Sequence, residues 1–352
     1  MQKIGMDLGM KQSDICELDD AGKVVTQATI PTTRAAIKRW FGRRKSAEVC
    51  LEAGGSSPWV DRLLRELGHD VIVVNPRRVK LIAESTLKTD KIDAEILARV
   101  LRGDRTLLRP VQHRGEETQR MRAQLRAREV LVKSRTACIN SVRGILRSFG
   151  YKLPTGSTEK FAERFDVAAL PDELKMIVAP LAETVRSLSA QIKSFDEWVE
   201  EAASRYPEVA PFKKIDGVGT LSALAYVLCI EDPARFPESR RVGAYIGLRP
   251  RLRQSCGDPR MGRINKEGDG GVRRLLVQCA QGVLRSRAPS ELREFGLRLK
   301  EKKGRNVAVV AVARKLAVLM HRLWTTGEEY DPHFEQHRRE RLAQANTATA
   351  AV

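Results

Sequence analysis

The spacing of apolar residues changes near residue 110, and this change constrains the fold more than any other feature of the chain. Before it, short segments place apolar residues at every second position; after it, apolar residues recur at intervals of three, four and seven. Alternation is typical of half-buried strands, whereas intervals of three and four place apolar side chains on one face of a helix. We therefore expect an α/β domain followed by a mainly helical part.

The first 105 residues predict a mixed sheet covered by helices. The predicted segments are the strands Lys3–Leu8, Asp14–Glu17 and Val24–Thr29, the helix Arg34–Phe41, the strand Ala47–Glu52, the helix Pro58–Leu67 and the strand Val71–Val74. Three strands followed by alternating helices and strands is the ribonuclease-H-like order, which many other α/β domains share. The order alone therefore leaves the fold family open.

Two long series of apolar residues predict two long helices in a coiled coil or helical hairpin. The first series is Met121, Leu125, Val132, Ile139, Val142, Leu146 and Phe149. The second has Leu174, Leu181, Leu188 and Phe195 on one heptad position, with Ile177, Val185, Ile192 and Val199 close to the other. The connection is expected at Gly150–Ser157. An intramolecular hairpin and an intermolecular coiled coil both remain open.

The charge balance favours a polyanionic partner. The chain has 63 Lys and Arg against 44 Asp and Glu, a formal net charge of +19, and neutralising phosphates releases their counterions. The alternative is a soluble protein that is basic without binding nucleic acid. No apolar run approaches the roughly 20 residues that span a bilayer, and Asp7 interrupts any signal-peptide-like stretch, so we expect neither membrane insertion nor secretion.

The first long helix carries many cations away from its apolar residues. A basic face of this kind suits a phosphate backbone, although a solvated charged face is the commoner interpretation. The cations are Arg120, Arg122, Arg126, Arg128, Lys133, Arg135, Arg143 and Arg147.

The six cysteines are scattered, without a Cys-x-x-Cys pair, and the five histidines have no ligand spacing with them. A structural zinc site or a disulfide framework is therefore not expected. This usage indicates a reducing, cytoplasmic setting.

Four acidic residues are candidates for a divalent-metal site. Asp7 and Glu52 lie in apolar strands, where an unpaired carboxylate is costly, and Asp90 and Asp93 open a helix three residues apart. Singly, each has an ordinary explanation: a turn or cap for Asp7, a strand end for Glu52, and an N-cap and first-turn acid for the pair. Together, hard oxygen ligands on several elements favour metal-dependent phosphoryl chemistry.

The stretch Gly5-x-Asp7-x-Gly9 also resembles the first phosphate loop of actin-like ATPases. That fold requires a second similar domain, and the heptad region occupies its place. We rank this alternative low.

Towards the C-terminus, Lys214–Thr220 resembles a helix–hairpin–helix turn, in which Gly217 and Gly219 would let backbone amides approach a DNA phosphate. Ser255 follows in a Gly- and Arg-rich segment that could stabilise charge on a phosphate under attack. The alternative is an ordinary loop serine on a nucleic-acid-binding surface, and Cys256 is a competing nucleophile. The nearby cations are Arg249, Arg251, Arg253, Arg260, Arg263, Lys266, Arg273 and Arg274.

In combination, these motifs resemble the DEDD-type insertion-sequence transposases of the one-ten group, which are bridge-RNA-guided serine recombinases. The resemblance covers nearly the whole chain and departs from the family at Cys256, where a glycine is usual. It rests on Ile4–Gly9, Leu51–Gly54, Lys88–Ala94, Arg135–Gly150, Gly217–Gly219, Gly247–Pro250 and the segment from Ser255 to Leu275.

The resemblance implies a domain organisation and a set of roles. A RuvC-like domain over residues 1–110 would bind magnesium, or manganese, through Asp7, Glu52, Asp90 and Asp93. A helical coiled-coil region over 111–205 would serve dimerisation and nucleic-acid contact. A mostly helical transposase domain over 206–330 would carry Ser255 as the nucleophile, and residues 331–352 would form a disordered tail.

The resemblance also implies partners and a mechanism. Ser255 would form a covalent phosphoserine link during exchange between donor and target DNA, and a structured noncoding guide RNA would select the sites. A homodimer or homotetramer acting in the cytoplasm, at DNA, is expected. A junction-resolving nuclease that uses metal-activated water and a non-catalytic RNA- or DNA-binding scaffold remain the alternatives.

Overall fold

The structure, a computed structural model, describes residues 2–76, 90–103, 110–253, 260–334 and 336–337. It divides into two compact units, Met1–Gly115 and Glu116–Val352, which are treated separately below. Within the described ranges, no helix is both long and apolar enough to cross a membrane.

The first unit is built on a five-stranded mixed sheet with the strand order β3-β2-β1-β4-β5. β1, β2 and β3 are antiparallel neighbours, whereas β4 runs parallel to both β1 and β5. Each predicted border lies within two residues of the observed one, so the predicted order of strands and helices is confirmed. The elements are β1 Lys3–Leu8, β2 Gln12–Leu18, β3 Val24–Pro31, α1 Arg34–Phe41, β4 Glu48–Glu52, α2 Ser57–Glu66, β5 Asp70–Val74 and α3 Asp90–Arg102.

Alternate residues of the strands face different helices. Ile4 and Met6 of β1 join the apolar core shared with α1 and α2. Cys50 of β4 belongs to the opposite face, where it packs with Leu97 and Leu101 of α3. Because successive strand side chains point to opposite faces, the sheet is covered by α1 and α2 on one side and by α3 on the other.

Gly5 allows α3 to lie very close to β1. A Cβ atom at Gly5 would be 2.0 Å from the Ala94 carbonyl oxygen and 2.5 Å from the Ala98 amide nitrogen. At the other end of α3, Arg102 reaches Gly22, in the turn next to the amino end of β1. The first turn of α3 is therefore directed towards the carboxyl end of β1.

Two long helices, α4 (Glu116–Ser148) and α6 (Asp172–Ala203), pack against each other within the second unit, with the short helix α5 (Phe161–Asp166) between them in sequence. This is the intramolecular contact of a helical hairpin. The buried stripe of α6 differs from the predicted one, since Ile177 is 56% exposed and Val178 is fully buried. Val178, Val185, Ile192 and Val199, spaced by seven, form the buried heptad position.

The rest of the second unit is a mostly helical domain with one β-hairpin. Its core surrounds α8, which is buried along nearly its whole length, and Tyr226 of α8 donates a hydrogen bond to the Ala317 carbonyl oxygen at 2.7 Å. The elements are α7 Val209–Lys213, α8 Thr220–Ile230, the 3-10 helix Pro233–Arg235, α9 Arg240–Tyr245, β6 Pro250–Arg253, β7 Arg260–Ile264, α10 Gly270–Arg285, α11 Glu291–Lys303 and α12 Arg305–Thr326.

The segment after residue 330, expected to be a disordered tail, makes contacts where the structure describes it. The Glu291 amide donates to the Pro332 carbonyl oxygen at 2.9 Å, and the Arg322 guanidinium lies 3.4 Å from the Phe334 ring centroid. Residues 338–352 of the predicted tail lie outside the described residues.

The close approach at Gly5 generates a stability prediction. We expect Gly5→Ala to lower the free energy of unfolding by about 1–3 kcal/mol or more, because the added methyl group overlaps backbone atoms of α3 that cannot rotate away. Urea denaturation followed by circular dichroism measures the loss. Gly54→Ala is the control, since no atom lies within 4 Å of a Cβ there; equal stability of the two variants would contradict the packing.

Candidate functional site

Asp7 and Glu52 lie side by side at the carboxyl ends of two parallel strands. Met6 pairs with Leu51 in the register of β1 and β4, so the next residues along the two strands are Asp7 and Glu52. Two residues before them are Gly5 and Cys50, both on the face covered by α3. The pleat therefore places the two carboxylates on that same face.

The environment of Cys50 supports this placement of Glu52. Burial, with a further contribution from the negative charge of Glu52, raises the pKa of the Cys50 thiol to about 12. A charge acts on a buried thiol in this way only from nearby. Cys50 is therefore an inert core residue, and Glu52 lies close to it.

The start of α3 completes this edge of the sheet. The helix begins at Asp90, and Asp93 lies half-buried one residue before Ala94, which packs on Gly5. The side chain of Asp90 lies outside the described residues. Among the side chains that are described, no three His, Cys, Asp or Glu residues are close enough to hold a metal ion. The structure thus brings Asp7, Glu52 and the first turn of α3 to one edge, without a finished ligand shell.

Asp14 is an acidic neighbour that the sequence analysis missed. It pairs directly with Asp7 across β1 and β2, which puts both side chains on one face. It is 9% exposed and accepts a hydrogen bond from the Thr29 hydroxyl at 2.5 Å. The signal in the sequence is a carboxylate at the start of an apolar strand, but the strand register is needed to see that it faces Asp7.

Ser255 and Cys256 lie outside the described residues, between β6 and β7. The two strands are antiparallel and pair from Pro250 with Ile264 to Arg253 with Arg260. The predicted nucleophile is therefore in the connection of a β-hairpin. The structure fixes the base of that hairpin but does not describe the position of the serine.

The base of the hairpin is anchored by two glycines and an arginine. Gly247 and Gly268 have φ values of +81° and +85°, and a Cβ atom at Gly247 would lie 1.8 Å from the Glu267 carbonyl oxygen. Arg273 donates from Nη1 to the Ile246 carbonyl oxygen at 3.0 Å. Arg273, predicted to contact nucleic acid, is thus engaged with its own chain.

Asp269 connects the hairpin base to the long helix α4. Its carboxylate caps α10 by accepting hydrogen bonds from the Gly271 and Val272 amides at 2.8 and 3.0 Å, and it forms an ion pair with Arg122. Burial alone would raise the pKa of Asp269, but the Val272 amide, Arg122 and the Gly271 amide together hold it below its usual value. A second ion pair, between Arg274 and Glu129, joins the same two helices.

Several cationic side chains on the predicted basic face of α4 are buried or form ion pairs, and the others are exposed. Arg135 differs from the prediction: it is 7% exposed and contacts Ser189 and Glu159, because its position falls on the buried stripe between Val132 and Ile139. Several others form ion pairs, namely Arg120 with Glu116, Arg122 with Asp269, Arg128 with Asp196 and Lys133 with Glu129. Arg126, Arg143 and Arg147 are exposed.

The cations of the hairpin are more available. Described side chains that are exposed here are Arg249, Arg251, Arg263, Lys266 and Arg274. The side chains of Arg253 and Arg260 lie outside the described residues. The surface around the hairpin base is therefore basic, as the sequence predicts.

The surroundings of Gly217 and Gly219 compete with the predicted phosphate contact. Gly217 has φ of +81°, and a Cβ atom there would lie 2.7 Å from the Cys279 carbonyl oxygen of α10. Gly219 is the N-cap of α8 and shares a surface groove with Asp196 and Glu197 of α6. Nearby carboxylates disfavour a phosphate, so the helix–hairpin–helix role stays a prediction.

Comparisons with known proteins agree on one family. A DEDD-type IS110 transposase model matches residues 4–150, and a model of the IS116/IS110/IS902 transposase family matches residues 209–296. The "Transposase for insertion sequence element IS1111A" of Coxiella burnetii is 30% identical over 93% of this chain and 90% of its own length. The "Probable family 20 transposase" of Pseudomonas aeruginosa is 29% identical over 94% of this chain and 99% of its own length.

One solved structure is also similar. The Thermus thermophilus RuvC structure is 15% identical and covers 28% of this chain and 90% of its own, with a TM-score of 0.23. A TM-score that low does not establish a common fold.

The Asp269 contacts predict a pH-dependent stability difference. We expect Asp269→Asn to lower the free energy of unfolding by about 1–3 kcal/mol at pH 7, because it removes the charge opposite Arg122 while keeping a capping side chain. The folded-state pKa lies below the usual value near 3.8, so the stabilisation is complete above that value and is lost as the pH falls through the folded pKa. In urea denaturation, the difference in free energy of unfolding between wild type and variant should therefore be smaller at pH 3 than at pH 7.

Asp172→Asn is the matched control, because Asp172 is an exposed carboxylate in the first turn of α6. If the loss of free energy of unfolding in Asp269→Asn is the same at both pH values, the stabilising role given to the charge of Asp269 is contradicted.

Proposed function

The chain belongs to the IS110 family of insertion-sequence transposases and is a DNA transposase, and from this premise we propose how its residues divide the reaction. Acids of the first unit hold a divalent metal ion, and Ser255 of the second unit is the nucleophile. DNA is cut and rejoined through a covalent phosphoserine intermediate. The observation that carries the proposal is the placement of Asp7 and Glu52 on one face, beside the first turn of α3.

The donor set fits a hard divalent cation. Asp7 and Glu52 are adjacent carboxylates, Asp93 follows on α3, and carboxylate oxygens are the ligands that magnesium and manganese take. Two carboxylates side by side repel each other unless positive charge lies near them. Asp7, Glu52, Asp90 and Asp93 would hold the ion, which when bound supplies Lewis-acid stabilisation of a phosphate oxygen.

The strand order of the first unit is consistent with a ribonuclease-H-like fold. In that fold, acids gather where the central parallel strands end, and β1 and β4 are the central neighbours here. Assigning the first unit to the ribonuclease-H-like fold is part of this proposal, because the observed feature is a mixed sheet. The fold assignment supports a metal site where β1 and β4 end.

Ser255 carries the covalent step in this proposal. Its hydroxyl oxygen attacks the phosphorus of a DNA phosphodiester and gives up its proton, while the displaced sugar oxygen leaves and takes up a proton. A phosphoserine ester replaces the broken bond, and attack by a sugar hydroxyl of the partner strand restores a phosphodiester and frees the serine. Arg249, Arg251 and Arg263, exposed on the hairpin, offset the charge that develops on the phosphate.

In this proposal, a partner molecule selects the DNA sites. A structured noncoding guide RNA would pair with donor and target DNA, so that base pairing rather than the protein selects sequence. The net charge of +19 suits a complex with several nucleic-acid strands. A homodimer or homotetramer would bring two sets of strands together in the cytoplasm, where the DNA lies.

One assay separates this proposal from its alternatives. Wild type is incubated with element DNA, its flanking RNA and magnesium, and the products are resolved on a denaturing gel. We expect a protein–DNA adduct that Ser255→Ala abolishes and that the isosteric variant Asp7→Asn reduces by about 100-fold or more, in line with the effect of lost transition-state stabilisation. Glu66→Gln, an exposed acid of α2, is the control and should leave the adduct unchanged.

The outcomes assign the mechanism. Cleavage that survives Ser255→Ala but not Asp7→Asn would indicate a nuclease that uses metal-activated water. No cleavage and no adduct in wild type, with nucleic-acid binding that both substitutions leave intact, would indicate a scaffold. An adduct in Ser255→Ala would overturn the serine assignment.

A further inference from the structure

A groove in the second unit lies between α4, α8 and the start of α10. Its volume is about 640 Å³, within the range of about 300–1,000 Å³ that is usual for ligand sites. Gly268, Asp269 and Gly270, which connect β7 to α10, form one of its walls. The groove therefore adjoins the base of the hairpin that carries Ser255.

More cationic than acidic side chains line the groove. Five cations face two carboxylates, and both carboxylates are engaged: Asp269 with Arg122, and Glu129 with both Lys133 and Arg274. A third carboxylate, Asp196, lies outside the lining and pairs with Arg128. Arg126 is exposed and has no carboxylate within ion-pair distance among the described residues. The lining cations are Arg122, Arg126, Arg128, Lys133 and Arg274. The surplus positive charge favours an anionic occupant.

Beneath the cations, the groove has an apolar floor. Leu125, Leu221 and Leu275 are half-buried and pack on the main core of the unit. Val130 at the edge of the groove is 59% exposed and extends this apolar surface. An occupant that covers this floor must combine flat apolar surface with negative charge.

We propose that this groove binds a single-stranded stretch of nucleic acid. Unpaired bases would lie on the leucine floor, and the adjoining phosphates would be bound by Arg126, Lys133 and Arg274. A duplex does not fit this chemistry, since its base faces are stacked, whereas a single strand presents both bases and phosphates. The strand held here would lie next to the serine hairpin, where cleaved or guide strands are expected. The inference rests on the proposed function in one respect, namely that the polyanion bound in the groove is a nucleic acid.

RNA and DNA share the chemistry that the groove recognises, so the test uses both. Full-length protein is titrated against fluorescein-labelled oligo-dT and oligo-U of equal length, in EDTA, with fluorescence anisotropy as the readout at several salt concentrations. Arg126→Gln and Lys133→Gln remove single cations of the groove. Lys300→Gln, at an exposed position of α11, makes the same charge change elsewhere, and thermal melting confirms that each variant is folded.

The salt dependence gives a quantitative expectation. Each lost phosphate contact should reduce the slope of log binding constant against log salt by about 0.7 for a single strand. We expect that reduction for both groove variants and not for Lys300→Gln. A reduction confined to oligo-U would assign the groove to RNA, one confined to oligo-dT to DNA, and equal reductions to the shared phosphate chemistry.

Slopes and affinities of the groove variants equal to those of Lys300→Gln would overturn the proposal. That outcome would leave the proposed function standing, because the serine adduct is measured in a separate assay. Conversely, the binding titration contains no metal ion and scores no covalent adduct, so a failure of the recombinase proposal would not change the binding result.

Discussion

The first unit depends on the backbone contact between Gly5 and α3. A side chain at residue 5 would meet the Ala94 carbonyl oxygen at 2.0 Å, so only glycine lets the helix lie directly on the central strand. Because α3 is held there with its first turn at the carboxyl end of β1, Asp93 comes to the edge where Asp7 and Glu52 stand. This close contact between backbones thereby brings the first turn of α3 to the edge of the sheet at which Asp7 and Glu52 lie.

In the second unit, close backbone contacts hold the base of the hairpin formed by β6 and β7. Glycines at 247 and 268 let the chain cross at van der Waals distance from its own carbonyl groups, and Arg273 ties the crossing together. The ion pairs of Arg122 with Asp269 and of Glu129 with Arg274, seven residues apart on α4, then join the long helix to the first turn of α10. The long helix is therefore a support for the serine hairpin as well as half of a helical pair.

Much of the fold could be predicted from sequence, because local patterns determine it. The spacing of apolar residues located the five strands and the first two helices of the first unit within two residues, and the paired aspartates located the start of α3. The patterns failed where partners are distant. Arg135 carries a charge yet lies on the buried stripe, where it contacts Ser189 and Glu159, and Val178 rather than Ile177 is buried. Asp14 was missed because only the strand register shows that it faces Asp7. Arg122 was predicted as a nucleic-acid contact, and its pairing with Asp269 was not predicted because the two residues are 147 positions apart in the sequence.

Asp7 and Glu52 are assigned to one metal site, and this assignment can be tested by metal binding to the full-length protein. Manganese titration followed by electron paramagnetic resonance counts bound ions without any need for DNA or turnover. If the two residues share one site, Asp7→Asn and Glu52→Gln each remove the same high-affinity manganese site, and the double variant loses no more bound manganese than either single variant. Undiminished manganese binding in both single variants, or additive loss of two separate sites, would contradict this assignment.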